Sequence, residues 1–560
     1  MKRIYLVLIA TIAITFVSCS DQEIDTVKPD AGQVAPIIDL PEGATQGRIL
    51  VKFKPEAASF LDAATTRSVG AALTRSGISD MDAVLQRIGT SKLERIFPVD
   101  NRTEERTRKA GLNLWYIIHF DKDTDLEQVA KDLSQVADVA KVQFTRAIQR
   151  SYDPNVRATV LTKQAMTRVV HTTRAVNTDA NDPFFNLQWG CKNDGSILQN
   201  GEKNDKGDNV VPAVMGVDVN CGEAWKLCTG NPSIVVAVLD EGVMYDHPDL
   251  EGNIWVNEDE TFASKEDADG NGYAGDRYGY NFTDDKGYIS YDDPNDTGHG
   301  THVAGIISAV RNNGEGISGI AGGDKANNRG GVKIMSCQVF SGSKGCDLYQ
   351  EAKAVKYAAD NGAVILQCSW GYNSGLSNPI SGYTPGFTSD KDWVDAAPLE
   401  KEAFDYFLHN AGSPNDVIDG GIIVFAAGNE YAAMAGYPGA YPDYISVAAL
   451  AADGTPSCYS NYAMGVSIAA PGGDSDYHQS SKGKIYSTLP PSANEDGGEN
   501  SHYGYMEGTS QACPHISGVA ALGLSYAAEL HRHFRADEFR KMILESVNPV
   551  EPYFKETKVY

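Results

Sequence analysis

Five stretches of this chain, Ile234 to Leu239, Val332 to Val339, Ala363 to Cys368, Ile422 to Ala426 and Tyr444 to Ala449, are apolar almost throughout instead of at alternate positions. Successive side chains on a strand point to opposite faces, so such runs leave neither face for water. Helical stretches separate them, and helices crossing over on both sides are what buries a strand twice. The expected fold is α/β, a doubly wound, mostly parallel sheet with helices on both faces, filling the chain from Asn181 onward. Ligands of open sheets of this kind gather outside the carboxyl ends of the strands, so the chemistry is to be sought there.

Three motifs fall at those ends. Val236-Ala237-Val238-Leu239-Asp240-Glu241-Gly242-Val243 sets an ionisable residue where a buried strand stops. Gly298-His299-Gly300-Thr301-His302-Val303-Ala304-Gly305 surrounds a histidine with small residues that let backbone pack closely, at the start of a helix running to Val310. MEGTSQACPHISG, Met506 to Gly518, places Thr509, Ser510 and Cys513 in one turn leading into an apolar helix, with Pro514 expected in its first turn. Acyl transfer by a serine needs a base to take its proton and an acid to hold that base. Asp240, His299 and Ser510 fill those roles, in the chain order of subtilisin and not of chymotrypsin or the α/β-hydrolases. Cys513 as an alternative nucleophile lies nearly one helical turn further on, where it is expected to face the packing side.

The motifs LDEGV, HGTHVAG, AAGNE and GTSQACPH, in that order, resemble those of the subtilisin-like serine proteases (subtilases, peptidase family S8) from about Asn181 to the C-terminus. The resemblance implies that Asp240 orients His299, that His299 serves as general base and then acid, and that Ser510 attacks the peptide carbonyl. It makes Asn429 the side-chain donor of an oxyanion hole completed by the Ser510 backbone N–H. Ser369, Trp370 and Gly371 match the strand that pairs with substrate and lines the main specificity pocket, and Gly436 its floor. The alternative within this likeness is a catalytically weak surface binding protein of the same fold, although no triad or oxyanion position is missing.

Asp267-Ala268-Asp269-Gly270-Asn271-Gly272-Tyr273, followed by Asp276, offers oxygen ligands at alternate positions around a sharp turn and resembles the calcium loop of many secreted subtilases. Asp267, Asp269, Asn271, Tyr273 and Asp276 are the expected ligands of a structural Ca2+; no organic cofactor is expected. Departures from the family pattern are equally specific. Glu241 stands where Thr or Ser is usual; turned inward it would set like charges side by side, and strand alternation is expected to point it outward. Gln511 replaces an oxidation-prone methionine. No acidic residue is evidently placed to select Arg or Lys, Glu430 being the nearest candidate. The stretch from Asn373 to Asp419, rich in aromatics, is longer than usual and reads as packed surface structure or as an insertion shaping the cleft.

Ahead of this domain, Gly47 to Phe144 alternates strand-like and helix-like runs and is expected to form a small α+β, ferredoxin-like domain. Its strands are expected near Ile49–Phe53, Leu93–Phe97, Leu112–Phe120 and Val139–Phe144, and its helices near Met81–Ile88 and after a Thr124/Glu127 capping box. Gly47 to Pro55 resembles the start of a subtilase propeptide, an intramolecular inhibitor whose exit tail, near Thr145 to Tyr152, would lie in the substrate cleft. The following segment to about Ala180 is locally basic and aperiodic, an exposed linker suited to cleavage.

At the N-terminus, Lys2 and Arg3 precede an apolar run, Ile4 to Val17, too short to span a bilayer, so it reads as a signal peptide. Phe16-Val17-Ser18-Cys19 resembles a lipobox, implying lipidation of Cys19 and an outer-membrane or cell-surface lipoprotein of a Gram-negative bacterium, the alternative being plain secretion. The division is thus 1–18 signal, 19–44 polar tether, 45–146 propeptide, 147–180 linker and 181–560 peptidase domain. Lys and Arg number 48 against 74 Asp and Glu, a net charge of -26 that excludes a broad nucleic-acid surface. The eight cysteines beyond Cys19 lack zinc-site spacing, and their pairing stays open, with Cys221 and Cys228 expected on one helix too far apart to bridge.

Overall fold

The computed structural model describes residues 34–67, 72–150, 152–161, 179–204, 206–491, 502–555 and 558. The signal run, Cys19 and most of the basic linker lie outside the described residues.

The N-terminal domain is a five-stranded sheet of β1 (Ile37–Ile38), β2 (Arg48–Phe53), β3 (Lys92–Arg95), β4 (Trp115–His119) and β5 (Val139–Gln143) in the order β1-β5-β2-β4-β3. All its neighbours run antiparallel except the added edge strand β1. Helices α1 (Ala58–Arg67), α2 (Ser79–Arg87), α3 (Glu104–Lys109) and α4 (Leu126–Ser134) accompany it. The α4 cap falls one residue later than expected: Asp125 accepts the Gln128 N–H at 3.1 Å, so its shorter carboxylate closes the turn and no box forms on Thr124. Leu126, Val129, Ala130 and Leu133 are buried as predicted.

The second domain is built on an eight-stranded sheet. Its members are β6 (Val235–Glu241), β7 (Gly279–Asn281), β8 (Lys333–Ser341), β9 (Lys344–Gly345), β10 (Ala363–Cys368), β11 (Ile422–Ala426), β12 (Ile445–Leu450) and β13 (Ile468–Pro471). The order is β9-β8-β6-β10-β11-β12-β13, with β7 also paired to β8, and every pairing is parallel but the β8–β9 hairpin. All seven residues of β6 are buried, as near-continuous apolarity requires. Val236 and Val238 join one core cluster with Val303 and Ile307 of α5 (His299–Ser308) and Ala520 of α8 (Thr509–Glu529). Val235, Ala237 and Leu239 join the opposite cluster, with Val355 of α6 (Leu348–Asp360) and Phe404 of α7 (Pro398–Asn410).

That second cluster also takes in Leu50, Phe97, Trp115 and Ile117, so the N-terminal sheet is packed onto the helical face of the larger domain. Polar contacts frame it: Glu402 on α7 receives Lys52 Nζ at 2.7 Å and the Trp115 indole N–H at 2.8 Å, and Arg48 reaches Asp347 at 2.8 Å. The aromatic stretch after Asn373 is therefore packed structure, with Trp393, Phe404, Tyr406 and Phe407 buried. It also supplies the seat of the N-terminal domain. Cys221 opens a helix of only four residues, Cys221–Ala224, and Cys228 lies past the turn that follows it, contrary to the single helix expected for both. No described cysteine forms a disulfide. No helix among the described residues is long and apolar enough to cross a membrane.

Candidate active site

Asp240 ends β6 and His299 opens α5, and the two meet in the interior, Nδ1 lying 2.8 and 2.9 Å from the carboxylate oxygens. Both are buried. The approach depends on Gly300, where any Cβ would collide with the Glu241 carbonyl oxygen. His302, one turn on, is a structural histidine: its Nε2 faces the carbonyls of Ile485 and Gly504 at 3.2 Å, and burial pushes its pKa down to about 3.

Ser510 stands in the first turn of α8, whose cap Gly508 has φ 150°. Pro514 lies in the second turn, not the first as expected, and having no N–H it leaves the Ser510 carbonyl without its helical donor. The Ser369 hydroxyl fills that gap at 2.8 Å, tying the Ser510 backbone to the end of β10. Asn429 follows β11, and its Oδ1 accepts both the N–H and the hydroxyl of Thr509 at 2.9 Å, which fixes the plane of its amide. Thr509 thus orients the Asn429 amide, a contact that its place beside Ser510 in the sequence does not announce. Cys513 is fully buried, its thiol pushed up to about 12 by that burial, against Gln367.

The Asp–His pair is formed but the serine is not yet joined to it. Ser510 Oγ donates to the Ser369 carbonyl at 3.2 Å, and His299 Nε2 is buried without a hydrogen-bond partner among the described residues. Over the imidazole lies Tyr152, stacked at 3.8 Å between ring centroids and 12° between planes. Tyr152 belongs to the tether that leaves the N-terminal domain. Ile148 N–H bonds the Cys346 carbonyl, Arg150 plugs into the cleft, and Thr159 pairs with Tyr505 across the far rim. The segment expected in the cleft, Thr145 to Tyr152, is there, and the chain stays on it as far as Thr159.

Glu241 departs from expectation. Expected to point outward, it is instead wholly buried, 0 % exposed. Its Oε2 accepts the backbone N–H groups of Thr297 and His299 at 2.9 and 3.0 Å, so the carboxylate caps the N-terminus of α5, where unpaired N–H groups and the helix dipole favour an anion. What strand alternation could not give is that a helix end lies against this carboxylate.

Residues 231–557 match the model of the subtilase family, and residues 49–195 that of the N-terminal region of the same family. The chain belongs to the subtilase family. Halolysin of Haloferax mediterranei is 30% identical over 323 residues, 57% of this chain and 47% of halolysin. A thermophilic serine proteinase of a Bacillus species is 25% identical over 335 residues, 59% of this chain and 61% of that protein. The match thus covers less than two thirds of either relative. Among solved structures, fervidolysin of Fervidobacterium pennivorans, a keratinolytic enzyme related to subtilisin, aligns over 88% of this chain and 56% of its own at 23% identity and a TM-score of 0.49.

In this subtilase the residues expected to hold substrate are only partly assembled around open space. Ser369 and Trp370 are buried, and Gly371 backs onto the Tyr437 carbonyl, where a Cβ would come within 2.9 Å. Gly436 is needed because any side chain would strike the Tyr372 carbonyl; the cavity of about 540 Å³ beside the tether is walled instead by His299, Asn373, Tyr383, Asn429, Glu430 and Met506. Glu430 is engaged with the Asn461 amide, and burial raises its pKa. Gln511 does remove one sulfur from the site, but Met506 Sδ lies 3.9 Å from its amide.

The expected calcium ligands separate into two groups. Asp267 and Asp269 converge with Glu260, which the sequence reading missed, their carboxylate oxygens lying within 4.8 Å of one another. Asp276 is instead tied by Asn257, Asn271 and the Tyr357 hydroxyl at 2.8 to 3.0 Å, Asn271 Oδ1 accepts the Tyr273 N–H, and the Tyr273 ring is packed among aromatics. Asp269 shares the Asn257 and Asn271 amides with Asp276, at 3.2 Å each, and lies 3.3 Å from Arg102. The three converging carboxylates are all hard oxygen donors and fit a divalent cation of the Ca2+ class.

Proposed function

We propose that the mature protein is a serine endopeptidase that hydrolyses peptide bonds through an acyl-enzyme, and that the chain described here is its self-inhibited zymogen. The observation that carries this reading is the buried His299–Asp240 pair at 2.8 Å beside Ser510 at a helix N-terminus, all at the carboxyl ends of a parallel sheet. On this reading Asp240 holds His299 with Nδ1 protonated, leaving Nε2 as the base for Ser510 once Tyr152 is gone. The Ser510 hydroxyl turns from the Ser369 carbonyl to His299, attacks, and the oxyanion is met by the Asn429 amide and the Ser510 N–H, with the dipole of α8 behind it. The proton held by His299 then passes to the leaving amine. The N-terminal domain and tether act as the intramolecular inhibitor, and cleavage in the linker frees the cleft.

The further elements of the reading are export with lipid attachment at Cys19, as an outer-membrane or cell-surface lipoprotein, and a structural Ca2+ held by Glu260, Asp267 and Asp269. When bound, such an ion would neutralise the mutual repulsion of three carboxylates; the chemistry at Ser510 does not pass through it. A fluorophosphonate probe tests the central claim. Labelling of the processed protein but not of Ser510→Ala is expected; equal labelling of both would overturn Ser510 as the nucleophile, and no labelling after processing would favour the surface binding protein of the same fold. Incorporation of labelled palmitate, lost in Cys19→Ala, tests the anchor.

A further inference from the structure

The plug that Arg150 makes in the cleft sits in a place of unusual charge. Glu241 and Asp296 are 0 % and 2 % exposed, and the Arg150 side chain only 8 %. Arg150 Nε lies 3.3 Å from Glu241 Oε1, its Nη2 lies 3.4 Å from Asp296 Oδ1, and the same Nη2 donates to the Gly342 carbonyl at 2.7 Å. The flat guanidinium also faces the Phe340 ring at 5.1 Å. Among the described residues no other cationic side chain is ion-paired with either carboxylate. Asp296 Oδ1 also accepts the Gly342 N–H at 2.7 Å, Oδ2 is buried with no hydrogen-bond partner among the described residues, and Asp296 is pushed up to about 8 by burial and by the charge of Glu241.

Two buried carboxylates facing one guanidinium make a pocket whose electrostatics are incomplete without a cation. Arg150 comes from the tether, which cleavage in the linker removes from the cleft. What remains then is an acidic slot, lined by a ring face and a carbonyl acceptor, one backbone bond from His299 through the Glu241 carboxylate. Its position along the cleft is fixed by the tether's own track. The chain enters against Cys346 to Leu348, reaches the slot at Arg150, and only then covers His299 with Tyr152.

We infer that Glu241 and Asp296 form a specificity pocket for a basic side chain, arginine before lysine, on the amino side of the scissile bond, and that Arg150 shows it occupied. This inference rests on the serine endopeptidase reading and deepens it. Arginine is favoured because the slot combines spaced acceptors with an aromatic wall, which suits a planar fork better than a point charge. It also gives Glu241 a reason to stand where a neutral residue is usual: one oxygen caps α5 while the other meets the ligand.

The test uses processed full-length protein and peptides differing at one position at a time across the residues preceding the cleaved bond, with Arg, Lys, citrulline or Leu at that position. Citrulline keeps the shape of arginine without its charge. At one position kcat/KM for Arg is expected to exceed that for citrulline by at least about 30-fold, the loss that follows when one member of a buried charge pair is left alone. Asp296→Asn and Glu241→Gln are each expected to shrink that ratio toward unity; being a ratio within one variant, it is unaffected by any general loss of turnover. A ratio within twofold of one at every position, with the neutral peptides still cleaved, overturns the pocket and leaves the protease standing. So does a ratio that both variants preserve. Absence of cleavage of every peptide together with absence of fluorophosphonate labelling overturns both.

Discussion

At the scale of single residues the site is held by hydroxyls around Ser510. Thr509 grips the carbonyl end of the Asn429 amide, so Thr509→Val removes one of two donors to Oδ1 while leaving the fold in place. Turnover is expected to fall roughly tenfold with KM little changed, because the amide matters only when the oxyanion forms. Asn429→Ala should cost about 10²-fold or more in kcat, the magnitude known for one such donor in subtilisin. Single-turnover kinetics on peptide substrates measures both. Ser369→Ala is a different kind of lesion: with proline at 514 the Ser510 carbonyl has no helical donor to fall back on, and a buried acceptor left unsatisfied costs about 1–3 kcal/mol. A lowered Tm by calorimetry checks it.

Among the elements, the inserted stretch carries the most legible pH dependence. Glu400 of α7 and Glu351 of α6 face each other in the interior, Glu400 accepting the Trp393 indole N–H at 2.6 Å. Burial lifts Glu400 from its ordinary 4.5 to about 7, and burial and the charge of Glu400 lift Glu351. The folded form therefore holds more protons than the unfolded chain between about pH 4.5 and 7, so its stability falls as pH rises through that window. Tm is expected to drop from pH 5 to pH 8, and Glu400→Gln to flatten the drop. A second test belongs to the loop Glu260–Asp276: excess EDTA is expected to lower Tm, and an unchanged midpoint would remove the proposed Ca2+. The strands behind these elements were readable because apolar runs report burial directly, and Ala363–Cys368 and Ile422–Ala426 occur with the very ends expected. Side-chain partners across the sequence were not readable. Glu260 lies too far from the turn at Asp267–Tyr273 to be drawn into its pattern, and nothing near Glu241 announces Thr297 or Asp296.

For the whole molecule, the packing of the two domains turns on a few polar anchors around an apolar face. Glu402→Ala removes the acceptor shared by Lys52 and Trp115 and should loosen the N-terminal domain, hastening the appearance of probe labelling in the zymogen by several-fold at unchanged final level. Asp240 and His299, far apart in the chain, meet at the end of β6, and Ser510 is tied by its carbonyl to Ser369 just beyond β10. The tether's path was foreseen only to Tyr152, since aperiodic sequence carries no signal of what it will touch. The stacking of Tyr152 on His299 has a consequence for timing. A lock carried on the same chain is present at a local concentration set by tether length, so dilution cannot open it. On the proposed reading each molecule, once cut, can cut its neighbours, so a population should switch on with a lag followed by a burst, its delay shortening as the protein becomes more crowded.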